Sequence, residues 1–195
     1  GVANSVLQVF SLDVSQDCST LGGQSLISVA GACVSSFYGE VYAAANMLIL
    51  ASEGYNYEES TGISTEYTYL FGMELRDASS APHSVGVVKG HFLNSHSIDV
   101  KNDVLHIATT TWNSWRVPVR DAAETVVVQE SRTENYIFTL QLPGTNGDEP
   151  GTMQQLSSLQ LGKINEVFTA VRFFDNIAYA VTFERTDPFY VLSFD

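Results

Sequence analysis

Apolar positions in this chain come in short runs, not in long helical stripes. Val, Ile, Leu, Phe, Tyr and Thr cluster in stretches such as 6–12, 67–75, 136–142 and 189–194, bounded by Gly, Asn, Asp, Ser or Pro. Runs of that length and composition predict β-strands. Two stretches have some helical character. Residues 41–51 contain Ala43, Ala44 and Ala45, and 121–129 is a weaker candidate. In the second, Val126, Val127 and Val128 favour strand, because β-branched side chains lose freedom in a helix.

A repeat decides the first. Residues 41–52 (VYAAANMLILAS), 98–109 (IDVKNDVLHIAT) and 171–182 (VRFFDNIAYAVT) share one two-strand pattern, with Asn46, Asp103 and Asn176 at the matching turn position. Asn and Asp tolerate the left-handed backbone of a tight hairpin. Residues 41–52 are therefore expected to form a hairpin. Each hairpin leads into a variable loop and a third strand ending near Leu75, Leu142 or Phe194. A fourth strand is expected at 84–89 and at 154–161.

Recurring four-stranded antiparallel units are the signature of propeller blades. One small twisted sheet cannot bury both faces alone, whereas blades stacked around an axis bury a continuous core. The chain thus reads as an all-β, partial β-propeller of about three blades' worth. Residues 1–33 would supply the last two strands of a blade, 34–90 and 91–162 one blade each, and 163–195 three strands of another. The remainder of a longer chain, or neighbouring chains, is expected to complete the ring. Residues 1–195 alone are expected to aggregate or oligomerise through unpaired edges.

Composition narrows the function classes. The 195 residues hold nine Lys+Arg against 22 Asp+Glu, a formal net charge of −13, and only 16% are charged. Such acidity argues against nucleic acid, where cationic neutralisation of phosphates supplies most affinity. It argues equally against an anionic membrane surface. No apolar run approaches the roughly 18 residues of a spanning helix; the longest candidate, 41–52, contains Asn46. Cys18 and Cys33 leave two readings open, a disulfide or two small buried hydrophobes. The disulfide requires residues 19–24 to fold back, which Gly22 and Gly23 permit.

A family resemblance rests on two stretches. The first is FLNSHSID at 92–99 with LHIATTT at 105–111. The second, more specific, is FTAVRF at 168–173 with YAVTFERTDPFYVL at 179–192. Over residues 34–195 the chain resembles the secreted β-propeller domain proteins distantly related to WD40 repeats. The resemblance implies a propeller that is exported or at the cell surface, with no established reaction. This chain is several blades shorter than such a domain, and its long loop at 112–135 matches no family motif.

Candidate chemistry is sparse. His83, His91, His96 and His106 lack zinc-site spacing, so satisfied or exposed histidines are the better reading. Asp99, Asn102 and Asp103 share one hairpin, where turn chemistry outweighs a calcium site. Residues 144–151 are acidic and turn-rich, and a solvated loop is favoured over a calcium loop. No Gly-x-Ser-x-Gly elbow occurs, and Glu58 and Glu59 are adjacent residues that an extended backbone points apart. No cofactor is expected; calcium is the one ion that the acidity would suit. Connections between second and third strands should leave on one face, bringing Tyr55, Tyr57, Trp112, Trp115, Arg116, Arg185 and Asp187 to one rim. Aromatics and Arg dominate binding hot spots, although the Trp residues could instead pack over blade ends and Arg185 pair with Asp187. The reading is a non-catalytic structural or interaction module presenting a protein- or glycan-binding surface. A calcium-dependent adhesion module is one alternative. A propeller enzyme is another, and it would need a deep polar pocket with perturbed titratable groups.

Overall fold

The computed structural model describes residues 5–12, 27–34, 39–60, 62–76, 79–120, 125–144, 150–183 and 188–194. Strands β1 (Ser5–Leu12) and β2 (Ile27–Val34) pair antiparallel. Next, β3 (Gly39–Ala43), β4 (Met47–Glu58), β5 (Ile63–Arg76) and β6 (Ser79–Lys89) form a four-stranded antiparallel meander. A two-residue strand β7 (His91–Phe92) leads to β8 (Ile98–Lys101), and both pair with β9 (Val104–Arg120). Strand β9 pairs with β10 (Thr125–Gln141). Beyond it, β11 (Gly151–Thr152) runs parallel to β6, and β12 (Gln154–Leu161) closes the third unit on β10. The last described unit is β13 (Val167–Phe174), β14 (Ile177–Phe183) and β15 (Phe189–Ser193).

All three repeated segments are hairpins, but their turns differ. Asn102 and Asp103 are both left-handed, with φ of 50° and 61°, as a two-residue type I′ turn demands. In the last hairpin the left-handed residue is Asp175, φ 52°, one position before the expected Asn176. The first hairpin needs no left-handed residue at Asn46: Ala44 N–H donates to Met47 O at 2.8 Å across Ala45 and Asn46. Asn or Asp therefore marks each turn without fixing its type.

The expected loops after the second strands are mostly strand. Pairing of β4 with β5 runs without a break from Met47↔Glu74 to Glu58↔Ile63. The Gly62 N–H then donates to Glu58 O at 2.8 Å to close the turn. Pairing of β9 with β10 runs from Val104↔Gln141 to Arg120↔Thr125. Much of the 112–135 loop is thus a long hairpin, because each polar strand satisfies the other's backbone groups. At Ser64↔Ser114 the two long hairpins pair with each other, joining both units into one sheet.

Two cores lie between successive units. Ile49, Leu70, Val88, Leu105, Ile107 and Leu140 anchor the first; Ala108, Ile137, Phe168, Val171 and Ala180 anchor the second. Alternation along β9 and β10 sends Ile107 and Phe138 to one core, and Ala108 and Ile137 to the other. Full burial of each Leu or Ile stabilises by about 1.5–3 kcal/mol. Burial on both faces accounts for the shortage of charge. Neighbouring first strands are also linked: Tyr42 donates to Asp99 Oδ1 at 2.8 Å, and Lys101 Nζ to Asp175 Oδ1 at 2.9 Å. Burial, with help from Asp99, pushes the Tyr42 hydroxyl up to about 12. The outer face of the last unit exposes Phe174, Phe183, Phe189 and Val191, with Phe189 stacked on Tyr179. No helix among the described residues is long and apolar enough to cross a membrane. Cys33 lies in β2 opposite Val6, and Cys18 lies outside the described residues, as therefore does the question of a disulfide.

Candidate functional site

The bridge at Ser64↔Ser114 turns β4, β5, β9 and β10 into one continuous four-stranded ribbon. Side chains alternate between faces of a strand, so register dictates which of them share a surface. Tyr55 lies opposite Glu66, Tyr57 opposite Ser64, Ser114 opposite Ser131 and Trp112 opposite Thr133. Two steps from the bridge, Glu66 meets Trp112, whose backbone N–H donates to Glu66 Oε2 at 3.2 Å. One row across the ribbon therefore reads Tyr55, Glu66, Trp112, Thr133. Tyr55 and Trp112 occupy the same position after their hairpin turns, so the aromatic recurs in successive units.

This row floors a cleft of about 510 Å³ lined by Tyr55, Ser64, Glu66, Trp112, Ser114 and Ser131. A second hollow of about 470 Å³ lies on the other side of Trp112; it shares Trp112 and Ser131 and reaches His91, Thr133 and Phe168. Tyr55 is 69% exposed and Trp112 56%. Glu66 between them is sunk, its side chain 13% exposed.

Glu66 organises the local charge. His91 Nδ1 lies 2.8 Å from Glu66 Oε2, and this hydrogen bond holds the imidazole above its ordinary value against the effect of burial. The charge on Glu66, then burial and Glu53, raises the Tyr55 hydroxyl. Burial raises Glu53, with Glu66 adding to the rise and His91 opposing it. The backbone sets His91 in place through Gly90. Its N–H donates to Glu66 O at 2.8 Å and its carbonyl accepts from Thr68 Oγ1 at 2.6 Å. Gly90 has φ +86°, and a Cβ there would sit 2.6 Å from Thr110 O, so glycine is required.

The equivalent junction between β10 and β13 is closed. Asn135 Nδ2 donates to Glu166 O at 3.0 Å, while its Oδ1 accepts from Thr110 Oγ1 at 2.7 Å and from the Phe168 N–H at 3.1 Å. Glu166, only 3% exposed, takes Thr182 Oγ1 at 2.6 Å and the Lys163 N–H at 3.0 Å on Oε2. The Thr182 bond, then that of Lys163, holds its carboxyl below the usual range.

Of the residues expected on one rim, Tyr55 and Trp112 line one cleft. Tyr57 is two positions further along β4 on the same face, 54% exposed and outside the cleft lining. Trp115 is an odd number of steps from Trp112 and takes the opposite face of β9, opposite Glu130. Arg116 pairs through its backbone with Gln129, and its side chain lies outside the described residues. Arg185 and Asp187 also lie outside them. Glu66 and the three cleft serines were not singled out from the sequence. His91 is satisfied, by Glu66. His106 is buried against Phe194, ring centroids 4.4 Å apart, and burial lowers its pKa. Asp99 accepts from Tyr42. Among the described residues no three His, Cys, Asp or Glu side chains gather in a way that could hold a metal ion. Most of the acidic, turn-rich stretch 144–151, for which a solvated loop is favoured, lies outside them, at 145–149.

Comparison with known proteins agrees with this architecture. An uncharacterized protein of Methanocaldococcus jannaschii is 31% identical over 137 residues, which are 70% of this chain and 18% of that protein. The chain thus spans less than a fifth of that relative's length. No solved structure matches. The β-propeller domain family matches residues 2–195. With four-stranded antiparallel units stacked through shared cores, this all-β chain belongs to the β-propeller domain family and forms part of a propeller.

Proposed function

We propose that the chain is a non-catalytic interaction module that receives its partner in the Trp112 cleft. The observation that carries this reading is the pair of exposed aromatics, Tyr55 and Trp112, at equivalent positions of successive units with a sunken carboxylate between them. Exposed aromatics beside a concave polar floor are the residue types that dominate binding hot spots. Glu66 Oε2 is engaged by His91 and by the Trp112 N–H, which fixes the carboxylate in the floor of the cleft. A β-propeller domain fits an interaction module. The resemblance to secreted propeller proteins supports a place outside the cell or at its surface.

The test is a ligand panel of basic, neutral and acidic octapeptides with neutral oligosaccharides. Fluorescence of a Trp115→Phe variant leaves Trp112 as the sole indole. Any ligand that binds should shift Trp112 emission and lose at least about tenfold in affinity in Trp112→Ala or Tyr55→Ala. Binding that both variants leave intact would place the surface elsewhere.

A further inference from the structure

We propose that the cleft takes a lysine or arginine side chain presented by an extended basic segment of a partner protein, the cation seated between Tyr55 and Trp112 above Glu66. The proposal rests on the cleft being the binding surface, and it adds the chemistry of the partner. A cation over a Trp or Tyr face is attracted by the ring quadrupole, more strongly where water is displaced. Tyr55 and Trp112 offer two such faces in one row, and Glu66 supplies the formal opposite charge between them. Glu66 first, and more weakly Glu53, act on the Tyr55 hydroxyl at the rim of the cleft. No lysine or arginine is among the described residues lining either hollow, and His91 is the one titratable base.

Size and reach favour a polypeptide over a small amine. The hollows of about 510 and 470 Å³ are contiguous across Trp112 and together exceed one side chain. An extended segment places alternate side chains on one side, so one could enter each hollow. The net charge of −13 adds long-range steering toward a basic partner and away from acidic ones. A neutral glycan could stack on the same aromatics, but it would gain no charge attraction from Glu66 or from the acidity of the chain.

The experiment uses capped octapeptides of alternating Gly-Lys, Gly-Gln and Gly-Glu, with neutral hexasaccharides as the glycan arm. The Gly-Lys peptide should bind and the other two peptides should not. Its affinity should fall about tenfold in Glu66→Gln and in Trp112→Ala, and stay within about threefold in Trp112→Phe. Raising the salt from about 50 to 500 mM should weaken it severalfold. Tyr55→Ala, at an exposed position, guards against loss of fold in the Glu66 variant. Equal binding of Gly-Gln and Gly-Lys peptides, or no binding of Gly-Lys, overturns the proposal. So does a hexasaccharide that binds independently of salt and of Glu66→Gln, yet is lost in Trp112→Ala; that result leaves the cleft itself standing. Binding that survives Trp112→Ala overturns both readings.

Discussion

Thr68 at the β5–β9 junction and Asn135 at the β10–β13 junction stand at equivalent strand positions, and each holds a carbonyl of the chain crossing to the next unit, Gly90 O and Glu166 O. Thr109 and Thr182 are likewise equivalent, reaching Lys89 O at 2.7 Å and Glu166 Oε2 at 2.6 Å. One level up, Glu66 O accepts from Gly90 and Thr133 O from Asn165 at 2.9 Å. The clamp is the same; the placement of the carboxylate differs. Glu166 is inside the clamp, where it ties turn to strand. Glu66 projects from the row above, where one side is open. Similar scaffolding thus gives a closed junction in one place and an open cleft in the other, depending on which row carries the acid.

The contrast can be broken by substitution. Glu166→Ala should cost about 2–3 kcal/mol in a urea melt, because the Thr182 hydroxyl and Lys163 N–H lose a buried acceptor. Glu66→Gln should cost less than about 1 kcal/mol, its ion-pair partner His91 being 39% exposed. Equal losses would mean that both acids are structural.

Gly90→Ala should cost about 2 kcal/mol, since its Cβ meets backbone at 2.6 Å and φ is +86°. Gly162→Ala, at φ +78°, should cost somewhat less, because its Cβ meets a side-chain end, the Glu166 carboxylate at 2.5 Å, instead of backbone, and displacing it would only loosen the Thr182 and Lys163 bonds. Only Gly90→Ala should also disturb the cleft, through the displacement of His91. If thermal melts order the two the other way, the Gly90 clamp is softer than its geometry implies.

Acidity separates the two acids more gently. Glu166, held below its ordinary 4.5, contributes stability above that value which is lost as pH falls through its lowered one. His91, held above its ordinary 6.5, contributes fully below that value and loses its share as pH rises through the raised one. With solvent screening the alkaline loss should be only about 0.5 kcal/mol or less. Melts from pH 3 to 9 should therefore show an acid limb reduced by Glu166→Gln, with Glu134 and Asp175 supplying the rest, and a shallow neutral-to-alkaline limb removed by His91→Gln.

The hairpins were legible because Asn46, Asp103 and Asn176 punctuate equivalent apolar runs. The 112–135 stretch was not. Asn113, Ser114, Arg116, Gln129, Glu130 and Ser131 lack the apolar alternation that marks a half-buried strand. What makes them strand is the partner across the ladder, a tertiary effect that outweighs local preference. In the cleft, Tyr55 and Trp112 could be paired as equivalent repeat positions. Glu66 and His91 could not, because their meeting depends on the register fixed at Ser64↔Ser114, between strands fifty residues apart. The odd step from Trp112 to Trp115 likewise matters only once that segment is extended.

The Ser64↔Ser114 bridge also has a mechanical meaning. Packed sheets joined only by side chains can rock about their common core. Here a backbone rung crosses the seam near the outer end, and Tyr42 to Asp99 ties the first strands of the same two units. Pinned at both places, the two sheets resist twisting as a single plate. Force applied at the Trp112 row would therefore be shared by both units through the backbone ladder.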